Sequence, residues 1–418
     1  MGAKLTRLEK QWILYDVGNS AFTMLCTTII PIYFKNIAAA DRLANSDSTA
    51  FLSFTLSLST ILVAVLGPIL GTMADTKNYK KPLFFSTFLV GMLECLAMAF
   101  ADRWLAFLAI FCIAKTGYQL SLIFYDSMLT DITTADRMDE VSSQGYAWGY
   151  IGSCVPFVLS LVLILGADTI GISGGTAMAI ALFINAAWWT GTTIPLLRNY
   201  RQIHYVERIG NPVRESFLRI ADVVKGLGKN RRILFFLIGF FFYIDGVYTI
   251  IDMATTYGKD VGISDTDLVL ALLLTQVVAF PCSIAFGKIS ARFRNGKLIQ
   301  VCILAYFLIA VFALQLDKAW EFWFLAVCVA VFQGAIQALS RSYFARIIPK
   351  EKSSEYFGFY DIFGKGAAFM GTTVMGVSTM ISGSSKYGVA VLSLMFLVGF
   401  FFFRKSDGLE KEAETKTV

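Results

Sequence analysis

The chain has 418 residues, of which 56% are hydrophobic, 15% aromatic and only 16% charged. That balance excludes a disordered chain and fits poorly with a soluble enzyme. The net charge of +6 sits mostly in the segments between apolar stretches, so it implies no nucleic acid as a partner.

Crossing a hydrocarbon core of about 30 Å takes roughly 20 apolar residues per helix. Candidate spans fall near 12–38, 48–74, 82–100, 103–130, 141–166 and 174–197, then near 232–258, 263–290, 296–315, 320–346, 354–381 and 385–404. The first is not a cleavable signal, because it is too long and carries Asp16 and Asn19. The predicted fold is all-α and integral to the membrane: twelve helices in two pseudo-symmetric six-helix bundles. The bundles cover 1–197 and 232–404, joined by a basic connector at 198–231 and followed by a tail at 405–418. With both termini cytoplasmic, 27 of the 36 Lys and Arg residues lie on the inner side, as the positive-inside bias requires. A bacterial cytoplasmic membrane is the expected location, and the inner charges face lipid headgroups and solvent.

Ionisable groups inside spans are costly and point to function. Span 1 aligns Asp16, Asn19 and Thr23; span 7 aligns Asp245, Tyr248 and Asp252 at the same spacing. Span 4 carries Lys115, Gln119 and Asp126, and span 10 carries Gln333, Gln337 and Arg341. Span 11 places Asp361 one turn before Lys365, which suits an internal ion pair. At about 1.5 Å per residue, Lys115, Gln119, Asp245, Tyr248, Gln333, Gln337 and Lys365 fall near mid-depth. With Trp148 they form the expected substrate site: a lysine for a carboxylate, Asp245 for an amine, the amides for other polar atoms, Trp148 or Tyr248 for the apolar body. Asp16, Asn19, Asp126, Arg341, Tyr360 and Asp361 lie toward the inner end and Asp252 toward the outside, as gating or coupling candidates. The single histidine, His204, lies in the connector, so protons could couple only through a carboxylate, Asp245 first and Asp361 second. The seven cysteines read as small core residues, and no cofactor or metal is implied.

The two halves match in order. Gly71 and Lys81 correspond to Gly287 and Lys297, Gln119 and Tyr125 to Gln337 and Tyr343, Gly145-Tyr146 to Gly358-Phe359, and Asp16 to Asp245. Parallel six-span repeats of this kind build transporters, and the arrangement resembles the major facilitator architecture. Gly71-Thr-Met-Ala-Asp75 with Lys80 and Lys81 is similar to that superfamily's cytoplasmic loop. There a glycine lets helix ends approach, Asp75 holds a neighbouring helix end, and the lysines meet the anionic leaflet. Thr76 and Asn78 depart from the usual pattern; Asn78 still tolerates a left-handed turn.

A narrower resemblance is carried by Trp12-Ile-Leu-Tyr15-Asp16-Val-Gly-Asn19, Phe124-Tyr125-Asp126-Ser127, Val141-Ser142-Ser143-Gln144-Gly145-Tyr146, Gln337-Ala338-Leu339-Ser340-Arg341-Ser342 and Phe357-Gly358-Phe359-Tyr360-Asp361. These blocks resemble the vacuole effluxer family related to autophagy-related protein 22, in its shorter bacterial form. The resemblance implies export or exchange of a small polar solute, with amino acids as the fungal precedent. A lipid-handling or sensor role on the same fold is the alternative. An integral enzyme lacks support, since there is no H-E-x-x-H and no histidine in any span, and no G-x-x-x-x-G-K-[ST] loop supplies ATP chemistry.

Overall fold

The structure is a computed structural model that describes residues 4–207, 230–260, 262–382 and 385–415. Most of the connector, 208–229, lies outside the described residues. The elements are α1 (Arg7–Met24), α2 (Ile30–Ala40), α3 (Asn45–Ala74), α4 (Lys80–Ala97), α5 (Trp104–Ile132), α6 (Met138–Leu165) and α7 (Gly174–Asn199). The second half follows with α8 (Arg231–Asp260), α9 (Asp265–Ile289), α10 (Asn295–Ala313), α11 (Ala319–Ile347), α12 (Ser353–Ser382) and α13 (Ser385–Thr415). Starts are capped by local chemistry: Thr6 and Glu9 form a capping box on α1, and Ser173 and Ser264 cap α7 and α9.

The first crossing is broken. One π-helical turn, Leu25–Ile29, separates α1 from α2, and Pro31 in the first turn of α2 contributes no N–H. Such single π turns often mark functional positions. Among the described residues ten helices are long and apolar enough to cross a membrane, and the bent α1–α2 pair makes eleven. The thirty-residue α12 carries Glu355, Asp361 and Lys365; it packs among α3, α8 and α13, and we count it as the twelfth crossing. Large apolar side chains such as Phe54, Val162 and Met380 stand exposed, which suits lipid rather than water. The last helix runs on to Thr415, past the boundary expected at 404. Ser406, bonded to the Arg232 carbonyl, and Asp407, bonded by Gln300, tie its extension to the rest.

Packing repeats between the halves. In the first, α1 packs on α6 and α7, and α5 on α3 and α4; in the second, α8 packs on α12 and α13, and α11 on α9 and α10. Even single hydrogen bonds recur: Tyr15 to Ser121 at 2.8 Å and Tyr243 to Ser340 at 2.7 Å. The halves meet through two related seams, α3 against α12 and α6 against α9.

Candidate functional site

Hydrogen bonds between the halves gather at the end that carries the connector. At their centre is Arg341 of α11, 2% exposed. Its Nε donates to Ser142 Oγ at 2.9 Å and Nη2 to the Ser142 carbonyl at 3.1 Å. Nη1 donates to Asp126 at 2.9 Å and Nη2 to Asp16 at 3.4 Å. The guanidinium also lies over the rings of Trp12, at 4.6 Å, and Tyr146, at 4.5 Å. One cation thus fastens α11 to α1, α5 and α6. Asn19 completes the group by donating to Asp16. Asp16, Asn19, Asp126 and Arg341, expected as an inner group, do come together. Asp361 stands within electrostatic reach of Asp126, whereas Tyr360 stacks on Phe240 at 4.2 Å, inside the second half. The Lys365 side chain lies outside the described residues, and so does its expected pairing with Asp361.

Two latches flank the arginine, one on each seam. Across α3–α12, Gly71 brings the α3 backbone onto Ser354 and Glu355. Asp75 then accepts the Ser354 amide at 2.8 Å and the Glu355 amide at 2.9 Å, a carboxylate at a helix N-terminus. Burial pushes the Asp75 carboxyl up to about 6, while Lys80 and those amides pull the other way. Lys80 corrects an expectation: it does not face lipid headgroups but is fully buried, donating to Ser353 at 2.9 Å and to Asp131 at 3.5 Å. Acceptors within reach hold it more strongly than a distant leaflet. Lys81 stays half-buried at the start of α4. Asp131 also accepts from Tyr200 at 2.5 Å and from the His204 amide at 2.9 Å. Burial, then the Asp131 carboxylate, hold the Tyr200 phenol well above its ordinary range. Asn78 takes the left-handed conformation (φ 66°), and beside it Thr76 pairs with Val206 of the connector.

Beside the α6–α9 seam the second latch ties α6 to α10 and α11 through Asp139, which accepts from Asn295 of α10 and from Ser342 and Arg346 of α11. Gly287 packs there on Ser143 and Glu140, as its repeat partner Gly71 packs on α12. Asp131, Asp139 and Asn295 were not singled out in the sequence, and Ser142 stood there only within a block of the family resemblance. They lie at helix ends or in polar runs where an anchor and a gate have the same composition.

Away from the connector end the arrangement loosens. Lys115 is half-buried and makes no ion pair among the described residues. Asp252 is exposed and within electrostatic reach of Lys115. On α1 and the π turn, Thr23 and Thr27 are also exposed. Gln119 is buried against Ser59, Gln337 donates to Tyr150 at 3.3 Å, and Tyr248 is half-buried. Gln333 borders a mostly apolar cavity of about 130 Å³ within the second half, near Thr249, Gln276, Phe322 and Met375.

Two expected site residues are placed elsewhere. Asp245 is sealed between α8 and α12, accepting from the Gly371 amide at 3.0 Å and Thr249 at 3.4 Å. Gly371, lacking a side chain, lets the α12 backbone close over it. Trp148 is 45% exposed, bonded to Gln144 and edge-on to Phe280; it does not join Lys115.

A chain of twelve crossings with two repeated halves and seams of this kind is a major facilitator protein. Its shape is similar to FucP in the outward conformation, with a TM-score of 0.75 at 14% identity over 96% of this chain and 97% of that one. A bacterial homologue of the iron transporter ferroportin gives 0.68 at 14%, over 96% and 98%. The model for vacuole effluxer Atg22-like proteins matches residues 6–414, and the chain belongs to that family. It is 40% identical to the MFS-type transporter YxiO of Bacillus subtilis over 96% of this chain and 94% of that one. Autophagy-related protein 22 of Coccidioides immitis is 20% identical over 84% and 71%. The chain is therefore a membrane transporter of the major facilitator type and not an enzyme.

Proposed function

We propose that this protein is a secondary active transporter that moves a small polar solute bearing a carboxylate, an amino acid or related zwitterion, by alternating access. The observation that carries the reading is the contrast between the connector end and the middle of the molecule. Arg341 and both latches bind the halves at the connector end, while Lys115, near the middle of α5, has a charge that no described acid neutralises by contact. A half-buried cation at that depth is costly without an anion, and a solute carboxylate would supply one. Asp252, rather than the sealed Asp245, would hold an amine. Lys115 and Asp252 lie on opposite halves, so a zwitterion between them draws the open end together.

The termini and the shut end face the cytoplasm in this reading, consistent with the basic inner loops. Transport is efflux or exchange coupled to protons. The mostly apolar cavity beside Gln333 favours lipid handling as the second reading. Thermal-shift screening of the purified chain against amino acids, peptides, nucleosides and organic acids identifies the solute class, and flux into proteoliposomes tests it. Movement of headgroup-labelled lipid with no water-soluble flux would replace the first reading with the second.

A further inference from the structure

Among the described residues the arginine cluster carries one positive charge too few. Arg341 stays protonated at any physiological pH, yet both Asp16 and Asp126 direct an oxygen at it. Around it stand Tyr125 on α5 and Tyr146 on α6, phenols that are neutral at ordinary pH, and Trp12 on α1. Tyr248 on α8 and Asp361 on α12 lie farther out but within electrostatic reach. No second described cation pairs with Asp16 or Asp126. Two carboxylates on one guanidinium leave a net negative charge, and an uncompensated charge in so buried a place is strongly disfavoured. The two acids also belong to one half and the arginine to the other. Opening the connector end must pull them apart and admit water.

We propose that this gate is a proton-binding site: the Asp16–Asp126 pair shares one proton while the connector end is shut and releases it to water when that end opens. The proton then belongs to the pair rather than to either acid. Shutting takes up one proton from solution and opening returns it, so the ratio of shut to open protein falls as pH rises. This deepens the transporter reading, because alternating access supplies the opening.

The test places spin labels at Asp136→Cys and Lys350→Cys, two exposed positions on the connector end of opposite halves. The native cysteines are replaced, and the full chain is held in lipid nanodiscs between pH 5 and pH 8. One shared proton changes the shut-to-open ratio by up to about tenfold per pH unit. Asp16→Asn and Asp126→Asn should each remove that part of the slope, since either change leaves arginine and acid balanced. Asp75 titrates in the same sense at the same interface, so the difference between wild type and each variant is the quantity read. Infrared spectroscopy at pH 7 gives a second readout that does not depend on opening: a protonated-carboxyl band in the wild type that disappears in both variants. Wild-type slopes in both variants, or a band unchanged in both, would overturn the proposal. A single distance population at every pH in every variant would instead refute alternating access itself.

Discussion

The close approach at Gly71 sets up a demanding test, because the two seams differ there in a way that alanine exposes. A Cβ at Gly71 would sit 2.5 Å from the Ser354 carbonyl oxygen, 3.0 Å from its carbon and 3.3 Å from Glu355 Cα. All three are backbone atoms, so no side chain can swing aside. Reaching an ordinary separation of about 3.5 Å moves α3 and α12 apart by about 1 Å. That shift carries the Asp75 contacts, now 2.8 and 2.9 Å, beyond hydrogen-bonding range. Charge-assisted bonds are worth about 1.5–3 kcal/mol each; with part of that recovered by water, the shut state loses about 3 kcal/mol. The shut-to-open ratio should fall by about 100-fold. At Gly287 a Cβ meets mainly the Ser143 side chain, at 2.8 Å, and no carboxylate bond depends on it. Gly287→Ala should shift the ratio by about tenfold or less. Spin-label distances across the connector end measure both, with thermal unfolding as a control for folding. Equal shifts for the two variants, or none at Gly71→Ala, would show that helix contact at this seam does not set the gate.

Other outcomes follow from the same geometry. Lys115→Gln should weaken binding of a carboxylate solute by roughly 10- to 150-fold, one charge-assisted contact, with thermal stability unchanged; undiminished affinity in a thermal-shift titration would remove Lys115 from the site. Lys80→Met strands Asp131 in a buried place, a loss of about 3–5 kcal/mol, and should lower the unfolding temperature. Lys80→Met with Asp131→Leu should recover part of it, and a double variant less stable than the single one would contradict this account. Asp245→Asn should leave solute exchange and its pH response intact, because Asp245 is buried between α8 and α12 under Gly371; loss of either in proteoliposomes would return it to the pathway. Asp75 is lifted by burial from its ordinary 3.8 to about 6, so the shut, folded state binds its proton more tightly than a hydrated state does. Its contribution to stability is full below about pH 4 and is lost as pH rises through about 6. Asp75→Asn should flatten that part of a stability-versus-pH curve.

Much of the architecture was legible because the membrane imposes it. Every backbone group in lipid must be satisfied within a helix, so apolar length alone reveals the crossings, and basic loops suggest their orientation. The repeat was legible for a related reason. Pairs such as Gly71 and Gly287 recur where seams need close backbone approach, and a glycine has few other uses mid-helix. Asp16, Asp126 and Arg341 stood out because ionisable groups inside spans are rare.

The partners of those groups were decided in three dimensions. Asp16 and Asp245 are matched in the repeat, yet one meets an arginine from the other half and the other is closed under Gly371. Lys80 has the composition of a headgroup lysine and becomes a buried tie to Asp131. Trp148 looked like a site aromatic and lies on an exposed seam. Helical periodicity assigns a residue to a face of its own helix but carries no information about which neighbour covers that face. That depends on the tilt and crossing of the packed helices, and it separates a gate, a latch and a sealed acid built from the same residue types.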